Sequence, residues 1–240
     1  MAFDLTSLVS HWSLNESSGT RSDSHGSNNL TDDSSVGFAA GKIGNCAVFS
    51  AASTDSLSRA DNTDLRLSGT DATVTLWVNL SSKSGIFALC GKYDGGDFME
   101  YMPAYRNSDD RFLFYVGNGS MFVAAVANAF GSPSVGVWYF LQCRINNTTK
   151  EASIRVNDGA WNSVTFTGNI KNGTATFHIG RCVPGLYANA SIDEVSIWKR
   201  QVSDAELNAI YNAGNGIAYP FASGVSPQRR SAQSSIRSTF

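Results

Sequence analysis

Charge is what this 240-residue chain has least of: acidic and basic residues together make up 16% of it, against about 25% in an average soluble domain. With a formal net charge of −2, the body lacks the basic footprint of a nucleic-acid binder. No apolar run approaches the roughly 20 residues a bilayer span needs, so no membrane partner is expected. The opening Met1-Ala-Phe-Asp-Leu-Thr-Ser7 has neither a basic segment nor an apolar stretch of signal length, and reads as the start of a protein made in a cytoplasm. Histidine is reduced to His11, His25 and His178, and no Ser-His-Asp or Cys-His arrangement can be nominated from them. The four cysteines, Cys46, Cys90, Cys143 and Cys182, match no zinc or redox spacing and read as free, structural thiols.

What replaces charge is uncharged polarity: 33 Ser, 15 Thr, 19 Asn and 22 Gly, the composition of short strands joined by tight turns. Helical periodicity is nearly absent, and alternation with period two recurs instead. Val74, Leu76, Val78 and Leu80 share one face of 73–80, while Thr73, Thr75, Trp77 and Asn79 share the other. Val137, Tyr139, Leu141, Cys143 and Ile145 alternate likewise against Trp138, Phe140, Gln142, Arg144 and Asn146. Ala152, Ile154 and Val156, then Ala175, Phe177 and Ile179, repeat the pattern. Shorter strands are expected at 8–14, 46–50, 86–92, 97–102, 112–116 and 121–126, with turn clusters such as Gly117-Asn-Gly119 and Asn157-Asp-Gly159 between them. Connections this short exclude crossover helices, so the sheets must be antiparallel, and about a dozen one-faced strands imply two sheets packed face to face.

One helix is written near the end. Ser203 caps it, Glu206 completes a capping box, and Ala205, Leu207, Ile210 and Tyr211 form its apolar stripe. A helix this short cannot stand alone and should lie on the sandwich as a lid. Residues 222–240 differ in kind: Arg229, Arg230 and Arg237, no acid, and a terminal Phe240. That arm carries +3 and leaves −5 on residues 1–221, and it has too little apolar content to fold by itself.

The stretch from Leu8-Val-Ser-His-Trp12 to Asp23-Ser-His-Gly26, then Gly41-Lys-Ile-Gly-Asn-Cys-Ala-Val-Phe49, and finally Ile192-Asp-Glu-Val-Ser-Ile-Trp198 with Tyr211-Asn-Ala-Gly214, resembles the laminin-G-like jelly rolls. The resemblance spans roughly residues 8–221 and implies the concanavalin A-like lectin and glucanase superfamily, an all-β jelly-roll sandwich with one short C-terminal helix and an extended tail. It leaves function open, because that architecture hosts lectins, hydrolases, adhesive modules and virion proteins.

Glycosidases need two carboxyls at a fixed separation, which one strand supplies from positions i and i+2 or i+4. Glu100 has no such partner, and Asp193 and Glu194 are adjacent, hence on opposite faces of a regular strand, so no catalytic residue is assigned. The spacing of Ile192, Val195 and Ile197 requires an extra residue to be absorbed near Asp193-Glu194, as a bulge does. The resemblance nominates Asp193 for a structural calcium, with the carbonyl of Gly44 or Asn45 nearby; the plainer alternative has Asp193 binding loop amides. Trp77, Trp138, Phe140 and Trp161 are candidates for stacking on sugar, and Asp94 and Asp97 for a rim site, although Asp94-Gly-Gly-Asp97 is also ordinary turn chemistry. Arg229, Arg230, Arg237 and Phe240 are the candidate partner-binding residues. Together these features lead to the expectation of a non-enzymatic virion surface protein made in the host cytoplasm: a bacteriophage capsid decoration protein held by its arm to the major capsid protein, forming a homo-oligomer such as a trimer. The alternative is a lectin-like module for adhesion to host glycans.

Overall fold

The computed structural model describes residues 3–93, 95, 99–183 and 185–221. In chain order its strands begin with β1 (Leu8–Trp12), β2 (Thr31–Asp32), β3 (Gly37–Ala40), β4 (Asn45–Phe49), β5 (Leu57–Arg59), β6 (Ala72–Leu80), β7 (Ile86–Ala88) and β8 (Cys90–Tyr93). They continue with β9 (Met99–Arg106), β10 (Arg111–Gly117), β11 (Phe122–Val126), β12 (Trp138–Asn146), β13 (Glu151–Val156), β14 (Asn162–Thr165), β15 (Phe177–Ile179) and β16 (Ala190–Trp198). One helix, α1 (Asp204–Tyr211), follows. The first sheet runs β14-β13-β12-β6-β16-β4-β3 with β1 against β16, and the second runs β11-β10-β9-β8-β15-β5-β2 with β7 against β9. The pairings between these strands are antiparallel. The all-β, two-sheet sandwich expected from alternation is the observed one.

The alternating faces explain the layering. Val74, Leu76, Val78 and Leu80 point inward from β6 beside Leu141, Cys143 and Ile145 of β12, and the second sheet answers with Tyr101, Phe112, Phe114, Phe177 and Ile179. Trp12 of the first sheet stacks on Phe177 of the second at 5.1 Å, so aromatic area as well as aliphatic packing joins the layers. The four cysteines are buried, free thiols, and burial pushes Cys90 up to about 12, far from reactive at neutral pH.

The opposite face of the first sheet is covered too. Ser203 and Glu206 form the expected capping box, and Leu207 and Ile210 of α1 pack on Trp77, Phe140 and Trp198. Phe221, with Phe3 and Leu5 from the other end of the chain, closes the same cluster. In β16 the register passes from Asp193 opposite Trp77 to Ser196 opposite Thr75, and Glu194 takes a left-handed φ of 50°. The bulge therefore sits where the irregular spacing required it, and it turns both acids of the Asp193-Glu194 pair out of the core.

Candidate functional site

The lid decides the fate of the tryptophans. Trp77 is 1% exposed, stacked under Tyr211 at 5.8 Å and approached by the Lys42 ammonium at 4.8 Å. It offers no free ring face, so the expectation of a sugar platform at Trp77 is corrected: α1 needs an apolar surface to dock on, and Trp77 supplies it. Phe140 is equally buried in that cluster, and Trp138 is half-buried against its margin. The Trp161 ring lies against the guanidinium groups of Arg144 at 4.2 Å and Arg155 at 4.9 Å, and its indole N–H points to the Asp204 carboxylate at 3.3 Å. It clamps the first turn of α1 to the sheet.

Asp193 is fully buried. One carboxylate oxygen accepts the amides of Lys42 (2.8 Å) and Ile43 (2.9 Å), while Oδ1 has no hydrogen-bond partner. Burial pushes its pKa up to about 8. Gly41 is obligatory here, because a Cβ would stand 2.6 Å from the same carboxylate. Calcium requires six to eight oxygens, but the loop turns N–H donors toward this carboxylate, and among the described residues no three His, Cys, Asp or Glu side chains gather. Asp193 acts as the anchor of the 41–44 loop, the plainer of the two roles.

Folding also assembles groups that sequence spacing hid. His11 of β1 places Nδ1 2.8 Å from the Ser196 hydroxyl and Nε2 3.1 Å from the Glu194 carboxylate. This Ser-His-acid trio is buried, with Tyr219 stacked on the imidazole at 4.8 Å and Phe221 edge-on at 5.3 Å. The trio is sealed beneath these rings and forms an internal polar network. At one end of the sandwich, Lys92 bridges Asp61 (2.6 Å) and Glu100 (3.4 Å), and Arg66 pairs with Asp61 from outside. Glu100 is fully buried with neither oxygen hydrogen-bonded, and burial pushes its pKa up to about 7. His178, on the outer face of the second sheet, is buried with Nδ1 unpartnered. Burial and the neighbouring Arg181 charge push it down to about 4, so it is a neutral ring at physiological pH.

The outer face of the second sheet carries a different surface. Met102, Tyr115 and Ala124 align across β9, β10 and β11, while Cys182, Leu186 and Tyr93 close over the middle of the face. Toward the β11 edge it opens. Phe122 is 48% exposed and packs edge-on against Tyr115 at 5.9 Å. Arg106 donates to the Tyr115 hydroxyl at 2.8 Å and holds Asp109 with its other arm. The platform is thus an open ring packed on a tyrosine that a guanidinium holds in place. Sequence reading placed a strand at 121–126 but had no signal that β11 is an edge. Asp94 and Asp97, and the arm with Arg229, Arg230, Arg237 and Phe240, lie outside the described residues.

Several solved structures share this architecture. The binding domain of Paraclostridial Mosquitocidal Protein 1 aligns with a TM-score of 0.71 at 14% identity, over 87% of this chain and 52% of its own. Domain 4 of AbnA, a GH43 extracellular arabinanase from Geobacillus stearothermophilus solved in complex with arabinotriose, gives 0.61 at 17% identity, over 84% and 97%. The botulinum neurotoxin serotype D ligand binding domain, solved in complex with N-acetylneuraminic acid, gives 0.64 at 13%, over 86% and 51%. This chain spans about half the length of those toxin domains, and at such identities the likeness concerns the fold alone. No curated protein sequence matches it. The family model for the concanavalin A-like lectin/glucanases superfamily, of laminin-G type, matches residues 52–208, which takes in β5 through the middle of α1. With sandwich, bulged last strand and helical lid all in place around that match, the chain belongs to the concanavalin A-like lectin/glucanases superfamily.

Proposed function

We propose that this chain is a non-catalytic glycan-binding domain whose sugar site is the Phe122 platform. The observation that carries the reading is the half-exposed Phe122 ring, packed edge-on against a Tyr115 whose hydroxyl Arg106 holds. An aromatic face backed by a fixed neighbour loses little entropy when the apolar C–H face of a sugar stacks on it. The neighbours solved with arabinotriose and N-acetylneuraminic acid support sugar binding as a use of this fold. The acids gathered by the fold, Asp61 and Glu100, flank a buried lysine instead of lining a cleft, which supports a binding role over hydrolysis. A glycan array probed with the full chain and with Phe122→Ala tests this: the variant is expected to lose at least tenfold in apparent affinity. Equal binding by both proteins sinks the assignment.

The proposal extends to where the domain is displayed. The acid-free arm with Arg229, Arg230, Arg237 and Phe240 supports attachment to an acidic partner such as a capsid surface, with the sandwich facing outward as a decoration protein. Removing residues 222–240 is expected to abolish binding to undecorated capsids, and undiminished binding would take the arm out of the mechanism.

A further inference from the structure

A second concavity lies at the other edge of the sandwich, where β3 ends the first sheet and β2 ends the second. It holds about 430 Å³ and is lined by Ser17, Ser18, Asp32, Ser35 and Phe38 among others. That volume falls within the roughly 300–1,000 Å³ of small-ligand sites. Its walls are tied from behind by Arg21, which is fully buried. The guanidinium donates to the carbonyls of Gly19 and Val36, both of which line the space, and stands 3.7 Å from the Asp32 carboxylate. Asp32 in turn accepts the Val36 amide at 2.9 Å. One buried cation therefore joins two separate chain segments into a preformed wall. Phe38 is 53% exposed on a strand, Gly37–Ala40, that is exposed along its whole length. Packing does not account for a ring left in water there.

We infer that this concavity is a second saccharide site, selective for neutral sugars. The Phe38 ring provides the apolar partner for a sugar's C–H face, and the Ser17, Ser18 and Ser35 hydroxyls can each donate and accept toward ring hydroxyls. Asp32 is the one charged side chain lining the space, and its cationic neighbour Arg21 is fully buried behind the wall, where it also holds the Gly19 and Val36 carbonyls. An acidic sugar would meet a carboxylate with no accessible cation, so sialylated or sulfated glycans are disfavoured. The assignment does not depend on the Phe122 platform, which lies on β11 at the end of the second sheet opposite β2. If both sites fill, one domain holds two sugars at once, and avidity on a glycan-coated surface rises without new contacts.

The test is an amide-resolved NMR titration of the ¹⁵N-labelled full chain with lactose, cellobiose, arabinotriose and sialyllactose. The expected result is that at least one neutral sugar, in the millimolar range, moves the amides of Gly19, Ser35, Gly37 and Phe38, and that Phe38→Ala weakens this at least tenfold while keeping a folded spectrum. Sialyllactose is expected to bind there no more tightly than lactose. The inference is overturned if none of the neutral sugars moves those amides, if the shifts survive Phe38→Ala unchanged, or if sialyllactose binds there tenfold more tightly than lactose. Shifts at Tyr115, Phe122 and Ala124 report the other site in the same spectra, so the two readings fail separately.

Discussion

Replacing Glu100 by glutamine should make the protein more stable at alkaline pH. Glu100 is buried beside Lys92 with both oxygens lacking hydrogen bonds, and burial raises its pKa from 4.5 to about 7. Between those values the folded protein holds a proton that the unfolded chain has released. Unfolding then becomes easier as pH rises through that window, and the loss levels off above about 7. At about 1.4 kcal/mol per pH unit, the window amounts to on the order of 3 kcal/mol. Glutamine has the same shape and nothing to titrate, while Lys92 keeps Asp61 at 2.6 Å and the Gly173 carbonyl at 3.4 Å. Urea unfolding of both proteins at several values between about pH 4.5 and 8 isolates the effect, since other titrating groups cancel in the difference. Stability of the variant minus that of the parent should climb by about 3 kcal/mol across the range. A difference flat to within ~0.5 kcal/mol would refute the claim that burial outweighs the lysine.

Asp193 follows the same sign over a wider window: with its pKa raised from 3.8 to about 8, the parent loses stability as pH climbs through that range, so Asp193→Asn should gain on the parent throughout it and melt furthest above it near pH 9. Added calcium should leave both melting curves unchanged, and a calcium-dependent rise lost in the variant would restore the metal role. Ser203→Ala removes a cap whose hydroxyl serves the Glu206 amide, so a loss of about 1 kcal/mol in chemical denaturation is expected. Arg200 holds Glu206 at 2.6 Å and keeps its pKa down at about 2, so that loss should persist to mildly acidic pH; its disappearance at about pH 4 would mean that the carboxylate is not so held.

Strands whose two faces differ sharply were legible from residues alone. The alternation in 73–80 and 137–146 places β6 and β12, and the odd spacing of Ile192, Val195 and Ile197 locates the bulge of β16. What escaped were β2, β3, β5 and β14, at two to four residues each. Elements that short carry too few side chains to show a period, and their pairing partners, not their own composition, make them strands. Trp77 failed for a related reason. Sequence shows that it shares a face with Thr73 and Thr75, but whether that face meets water depends on where α1 lands, more than a hundred residues later. The helix's own apolar stripe, Leu207 and Ile210, was the available sign that some outer face had to be buried. The Ser196, His11 and Glu194 grouping joins two strands at opposite ends of the chain, and no local pattern reports such a distance.

The two faces of this sandwich have been put to different uses, and the difference follows from where the helix lies. Covering the outer face of the first sheet places Trp77, Phe140 and Trp198 in a second apolar cluster, where each aromatic contributes stability and truncation leaves a cavity worth about 3–5 kcal/mol. Exposed aromatic rings remain at edges: Phe38 on β3 and Phe122 on β11. Half their area is already in water, so changing them costs the fold little, typically within about 0.5 kcal/mol at such surface positions. Ligand preference can therefore vary at the edges while the core and the lidded face stay fixed. An aromatic edge without a ligand is also an aggregation hazard, since β3 presents unpaired backbone and an apolar ring together. Retaining Phe38 and Phe122 at such positions makes physical sense if something binds them.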